Sequence, residues 1–235
     1  MRTGPALDGD ETPAPAGAGV AASVVEALTR PTWRGRLHRW AAVVAVPAFA
    51  VLVAAAPTAS SRLACAVYGV GVTAMLVVSA VYHSAGVPAA ARPWLRRIDH
   101  STILLAITGS YTAIVALTLT GAPERRLLVA VWVAAGVALV VRMTWHHAPS
   151  PVIAVVYLLV GWSALIEWRA LLAATTGADK ALLVAGALLY TLGGVVYGLR
   201  RPDPWPRTFG YHEVFHALVV AGVLAHYVLV WTLVL

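Results

Sequence analysis

The sequence predicts an all-α fold, a bundle of seven transmembrane helices. Three observations predict it. Hydrophobic residues make up 60% of the 235-residue chain and charged residues only 11%, against roughly 45–50% and about 25% in soluble domains. Mean hydropathy is +0.79. The apolar residues gather into seven runs, most near the ~20 residues that cross ~30 Å of hydrocarbon as helix. Runs and loops use up the chain beyond residue 30. No length remains for a soluble domain, so any chemistry belongs to the helices.

Residues 1–30 are rich in Ala, Gly and Pro and carry Asp8, Asp10, Glu11 and Glu26. They read as a flexible tail. No basic region leads into an apolar one, so they do not read as a signal peptide. The membrane domain takes residues 31–235. Its runs cover 40–56, 63–82, 98–120, 127–141, 152–172, 181–199 and 211–235, the first and fourth being short. Pro57 and the run 58–61 end the first. Pro88 and Pro93 bracket the second connection, and Gly121 and Pro123 make the third. Pro149 and Pro151 make the fourth, and Pro202, Pro204 and Pro206 the sixth. Proline lacks an N–H and clashes with the preceding turn, so it stops helices.

The net charge is +7, with 17 Lys and Arg. These form no single basic patch, which argues against nucleic acid as a partner. They sit in short clusters between the runs. One face receives Arg2, Arg30, Arg34, Arg36, Arg39, Arg92, Arg96, Arg97, Arg142, Arg200, Arg201 and Arg207. The other receives Arg62, Arg125, Arg126, Arg169 and Lys180. Cytoplasmic loops carry the excess. The N-terminus is therefore expected inside and the C-terminus outside, in a multi-pass protein of the cell membrane. Trp33, Trp94, Trp145 and Trp205 fall near the cytoplasmic boundaries, as an aromatic belt would. Membrane lipids are the expected partners. The lone cysteine, Cys65, excludes a disulfide scaffold and a Cys-rich zinc site.

Ionisable groups near apolar spans are costly and point to function. Here they are His83, Asp99, His100, Glu167, His212, Glu213, His216 and His226. His212 and His216 are four apart and share a helix face. Two such imidazoles can bind one metal ion, with zinc the natural candidate; hydrogen-bonding histidines at a helix end would look the same. The seven-span topology adds to the pair. His83 ends the second span, Asp99 begins the third, and His212 and His216 begin the seventh. All four reach one depth near the cytoplasmic face, which favours a metal centre. Ser79 lies one turn before His83 on the same face; its bland reading is a helix–helix contact.

The stretch 212–216 also spells H-E-x-x-H, the zinc-protease motif with Glu213 as base. Glu213 could equally serve the helix N-terminus. The remaining groups read as ordinary. His100 faces a neighbour, His146 and His147 are interfacial, and so are Glu167 and Arg169 at the outer end of the fifth span. His226 is ten residues past His216, roughly 80° off that face and deeper, and reads as a helix–helix hydrogen-bond partner.

The motifs Ser79-Ala-Val-Tyr-His83, Arg97-Ile-Asp99-His100-Ser101, Gly109-Ser-Tyr-Thr112 and Phe209-Gly-Tyr-His212-Glu-Val-Phe-His216 resemble the hemolysin III family. That family is the bacterial branch of the group that includes adiponectin and progestin receptors, and is related to alkaline ceramidases. The resemblance runs from about Trp33 to Tyr227. It implies seven helices with the N-terminus inside. It implies zinc on His83, His212 and His216, with Asp99 holding or activating a water and Ser79 lining the site. It demotes Glu213, which the family does not require. The chain departs from the receptors' E-x-x-N-x-x-x-H before the first span: His38 fits the last position, but Pro31 and Arg34 replace Glu and Asn. Ala113 stands where many members have proline.

The reading that follows is a zinc-dependent hydrolase of lipid-like amides or esters, with Asp99 and Ser79 as catalytic residues. The alternatives are a membrane-state sensor with structural zinc, a cytolytic or pore-forming protein, and an intramembrane protease. The spans show no regular polar stripe to line a wide channel. A protease would need Glu213 to face the metal.

Overall fold

A computed structural model describes residues 31–145 and 148–235. The tail at 1–30, and His146 and His147, lie outside the described residues. Helix α1 spans Arg36–Ala55, α2 Ala59–Tyr82, α3 Arg92–Thr118 and α4 Ala122–Thr144. The fifth span, Ser150–Ala174, is α5 (Ser150–Gly161), a 3-10 stretch (Trp162–Glu167) and α6 (Trp168–Ala174). Helix α7 is Gly177–Leu199 and α8 is Tyr211–Val234. The described residues are helical, with no strand beyond one isolated bridge between Trp205 and Phe209. Among the described residues, seven helical spans are long and apolar enough to cross a bilayer. This is a multi-pass membrane protein.

The helix ends correct the sequence reading. Pro93, Pro123 and Pro151 lie in the first turns of α3, α4 and α5. They open helices rather than separate them. The first N–H groups of a helix have no partner within it, so a residue without one fits there. The run at 58–61 likewise begins α2. The Thr58 hydroxyl accepts from the Ser61 N–H at 3.1 Å, and the Ser61 hydroxyl from the Thr58 N–H at 3.0 Å. The first and fourth spans are longer than their apolar runs, because α1 takes in Arg36 and Arg39 and α4 takes in Arg142. Arg142 is not a loop charge. It is 4% exposed.

One side of the bundle is tightly packed. Leu52 of α1, Cys65, Tyr68 and Val72 of α2, and Leu229 and Val230 of α8 are fully buried in one cluster, joined by Ala113 of α3. Lipid is as apolar as leucine, so close packing and hydrogen bonds hold such helices together. Helices α2 and α3 touch backbone to backbone. A Cβ at Gly71 would collide with the Leu105 carbonyl, and one at Gly109 would meet the Val67 carbonyl at 2.9 Å. Tyrosines tie α8 to its neighbours. Tyr227 donates to the Ala48 carbonyl at 2.9 Å and Tyr68 to the Val223 carbonyl at 3.3 Å.

The other side is looser. The fifth span breaks its α-helical ladder at residues 162–167, and Tyr111 of α3 bridges the break. Its hydroxyl donates to the Gly161 carbonyl at 2.5 Å and accepts from the Ala164 N–H at 2.8 Å. A membrane helix tolerates a break where a neighbour satisfies the freed backbone groups. Beside the break lies a cavity of about 330 Å³.

Candidate metal centre

His83 is the C-terminal cap of α2, and its N–H donates to the Ser79 carbonyl at 3.0 Å. His212 and His216 stand on the first turns of α8. Their spacing puts them on one face, and the meeting of the α2 and α8 ends brings His83 opposite. One ring nitrogen from each lies within 4.8 Å of the others, and the Nε2 atoms of His83 and His212 are 3.0 Å apart. Ligands at about 2.0–2.1 Å around a tetrahedral ion stand about 3.3 Å from one another. The three nitrogens therefore fit one metal ion with small adjustments. Imidazole nitrogens suit zinc and several other divalent ions.

The approach to His83 depends on the segment before α1. Gly35 has φ +76, and a Cβ there would meet the His83 Cβ at 2.7 Å. A side chain would thus be strained twice, by the left-handed backbone and by the collision. The segment is clasped to the loop that leads into α8. The Thr32 N–H donates to the Arg207 carbonyl at 3.2 Å and the Trp33 N–H to the Thr208 carbonyl at 3.1 Å.

Glu213 serves this clasp. One carboxylate oxygen accepts from the Gly210 N–H at 2.9 Å, and the other lies 2.6 Å from the Arg34 guanidinium. Its side chain is 1% exposed, and it does not line the cavity. Its role is at the helix N-terminus, the plainer of the two roles the sequence allowed.

Asp99 and Ser79 line the cavity together with His212 and His216. Both are buried, and the Ser79 hydroxyl faces the Asp99 carboxyl. The Asp99 oxygens are not part of the close histidine cluster. His100, one residue on, points to a different group. Its Nδ1 accepts from the Arg142 guanidinium at 3.0 Å, and its carbonyl accepts from the Tyr157 hydroxyl at 2.9 Å. A carbonyl, an imidazole and a phenol thus knit α3, α4 and α5 around a buried cation.

Two residues at the site were not among the site residues expected from the sequence. His38 of α1 stacks on His216 with ring centroids 3.8 Å apart and planes within 7°. It is 3% exposed and lines the cavity. The receptor motif matched its position, but Pro31 and Arg34 in place of the motif's Glu and Asn left its role open. Arg142 had no signal beyond its place at the end of an apolar run. His226 lies on α8 with Nε2 3.3 Å from the Leu183 carbonyl, and Glu167 pairs with Arg126 at 2.6 Å.

The cavity begins at this polar layer and runs past Tyr157, Trp162 and Leu165 to Leu171. Its wall is overwhelmingly apolar. The model of the haemolysin-III related family matches residues 26–227, nearly the whole chain. The chain belongs to that family. The curated relatives agree. Hemolysin-3 of Bacillus cereus is 28% identical over 79% of this chain and 83% of its own length. The Hemolysin-3 homolog of Bacillus subtilis (strain 168) is 28% identical over 79% and 85%. Heptahelical transmembrane protein 5 of Arabidopsis thaliana is 53% identical over a short stretch, 17% of this chain and 12% of its own. Within this family member, the histidine cluster and the cavity are the features that invite chemistry.

Proposed function

We propose that the protein is a zinc-dependent hydrolase of lipid-like amides or esters, with its site at the cytoplasmic face of the plasma membrane. One observation carries the reading: His212 and His216, two of the three clustered imidazoles, line one apolar cavity together with the buried Ser79–Asp99 pair. The arginine bias supports the orientation.

His83, His212 and His216 would hold the ion. Zinc on three imidazoles supplies Lewis acidity and a water whose pKa falls to about 7. The chain's own residues do the rest. The apolar wall holds the alkyl part of the substrate and keeps bulk water out. The Asp99 carboxylate accepts the proton released as water attacks the carbonyl carbon, and returns it to the departing nitrogen or oxygen. Ser79 donates its one hydroxyl proton to that carboxylate and so orients it. His38 braces His216 by stacking. An apolar cavity with one polar end suits a lipid better than a water-filled pore. Glu213, held by Arg34 and Gly210, leaves a protease without its base.

The test is metal content beside turnover. Wild-type protein is expected to carry about one zinc per chain, lost in His212→Ala and largely kept in Asp99→Asn. Lipid amides and esters in micelles are expected to be hydrolysed by wild type and by neither variant. A folded wild-type protein that binds no zinc would overturn the reading. Zinc without any turnover would leave a structural clamp between α2 and α8.

A further inference from the structure

His100 is a buried histidine that the proposed chemistry does not use. It follows Asp99 on α3, about 100° further round the helix. It lines the cavity with Asp99, His212 and His216. Tyr197 flanks two of these imidazoles, its ring centroid 6.3 Å from His100 and 6.1 Å from His212. His100 and His212 are near enough to interact electrostatically. His100 thus belongs to the polar end of the cavity.

One hydrogen bond fixes its tautomer. Arg142 Nε donates to His100 Nδ1 at 3.0 Å. A guanidinium only donates, so Nδ1 holds a lone pair and the ring proton sits on Nε2. The two ring nitrogens diverge, so Nε2 points away from Arg142. Arg142 is not one of the residues that line the cavity, whereas His100 is. Nδ1 therefore faces the wall and Nε2 the cavity. Nε2 makes no hydrogen bond among the described residues. It is also not cut off from water, unlike the unpartnered ring nitrogens of His38 and His226. The Arg142 charge polarises the ring through the shared hydrogen bond and makes Nε2–H a stronger donor. Neighbouring hydroxyls are spent elsewhere. Tyr157 donates to the His100 carbonyl at 2.9 Å, and Ser79 is turned to Asp99.

We infer that His100 is a further catalytic residue, whose Nε2–H donates to the carbonyl oxygen of a lipid amide or ester at the polar end of the cavity. As water adds to the carbonyl carbon, the C=O electron pair moves onto that oxygen. The oxygen becomes a better acceptor, so the hydrogen bond is strongest in the transition state. Asp99 takes the proton of the water, and its neighbour His100 steadies the oxygen. Arg142 acts through His100 and is a positioning residue. The inference rests on the hydrolase reading above.

The test has a binding arm and a turnover arm. Full-length protein with zinc supplied, its histidines labelled with nitrogen-15, is titrated in detergent micelles with hexadecan-2-one or hexadecane. The ketone offers a carbonyl that water cannot cleave, and the alkane offers none. The NMR signal of the His100 Nε2 proton, assigned by its loss in His100→Gln, is expected to move downfield with the ketone and to stay in place with the alkane. In turnover, His100→Leu should lower kcat about 100-fold, as loss of one oxyanion donor does, with KM and zinc content little changed. His100→Gln can accept from Arg142 and still donate to the cavity, so it should recover much of the rate. A merely structural histidine would give no ketone-specific shift. Absence of that shift, or wild-type kcat in a folded His100→Leu protein, would overturn the role of His100 and leave the hydrolase reading intact. A ketone-specific shift in a protein that hydrolyses neither amides nor esters would uphold the donor and count against the hydrolase. The binding arm decides the matter if His100→Leu does not fold.

Discussion

The two sides of the bundle differ in how they use their apolar residues. On the side of α1, α2, α3 and α8 they interlock, and Leu52, Tyr68 and Leu229 are fully buried. On the side of α5, α6 and α7 fewer of them interlock, and Leu158, Leu165 and Val184 line a cavity instead. The packed side carries His83, Asp99, His212 and His216. The difference teaches a division of labour. Ligand atoms must be held to within a fraction of an ångström, which needs a rigid frame. A long flexible chain needs room, which only a looser wall can give.

The largest test of that division is at the frame. Replacing His83 or His212 by Ala should weaken metal binding beyond the ~10–100-fold typical of outer-shell partners. Leu158→Ala, on the loose side, should leave it unchanged. Metal analysis after dialysis reads both. Equal losses would break the comparison.

Next is the clasp. Arg34→Ala leaves Glu213 as a buried charge without its cation, and removing one partner of such a pair costs about 3–5 kcal/mol. The expected result is a markedly lower unfolding temperature in detergent. Glu213→Gln keeps an acceptor for the Gly210 N–H and removes the charge, so it should cost less and retain hydrolysis. Loss of hydrolysis in a folded Glu213→Gln protein would make Glu213 more than a cap.

Packing itself comes third. In lipid a truncated core residue loses its contacts and leaves a void, without a large transfer term. Leu229→Ala should therefore cost about 2 kcal/mol. Leu158→Ala, already beside empty space, should cost well under half of that. Thermal unfolding of the two variants gives the ratio, and a ratio near one would show the sides to be alike.

The smallest expected effect is at the seam between the sides. Tyr111→Phe removes the hydroxyl that bridges Gly161 and Ala164. It should cost about 1–2 kcal/mol, and hydrogen exchange should rise at residues 162–167 and not in α2.

Much of this was legible beforehand. Apolar runs mark the spans because hydrocarbon demands about 20 apolar residues per helical crossing. The i, i+4 spacing puts His212 and His216 on one face wherever α8 goes. Other features left no trace in one dimension. Pro93, Pro123 and Pro151 read as breaks because proline ends helices and opens them with the same residue type. Arg142 read as a loop charge because burial depends on what packs over it, here His100 and Tyr157. His38 was placed by a motif position alone and its role stayed open, because its partner, His216, is 178 positions away.

By itself, the sequence determined the seven spans and the shared face of His212 and His216, because these depend on hydropathy and on spacing along one helix. Tertiary structure decided the rest. It brought His83 to within 3.0 Å of His212, bound Glu213 to Arg34, and turned His226 toward Leu183. Such contacts join residues far apart in the chain. Local propensity says nothing about them, and only the way helices fit against one another selects which side chains meet.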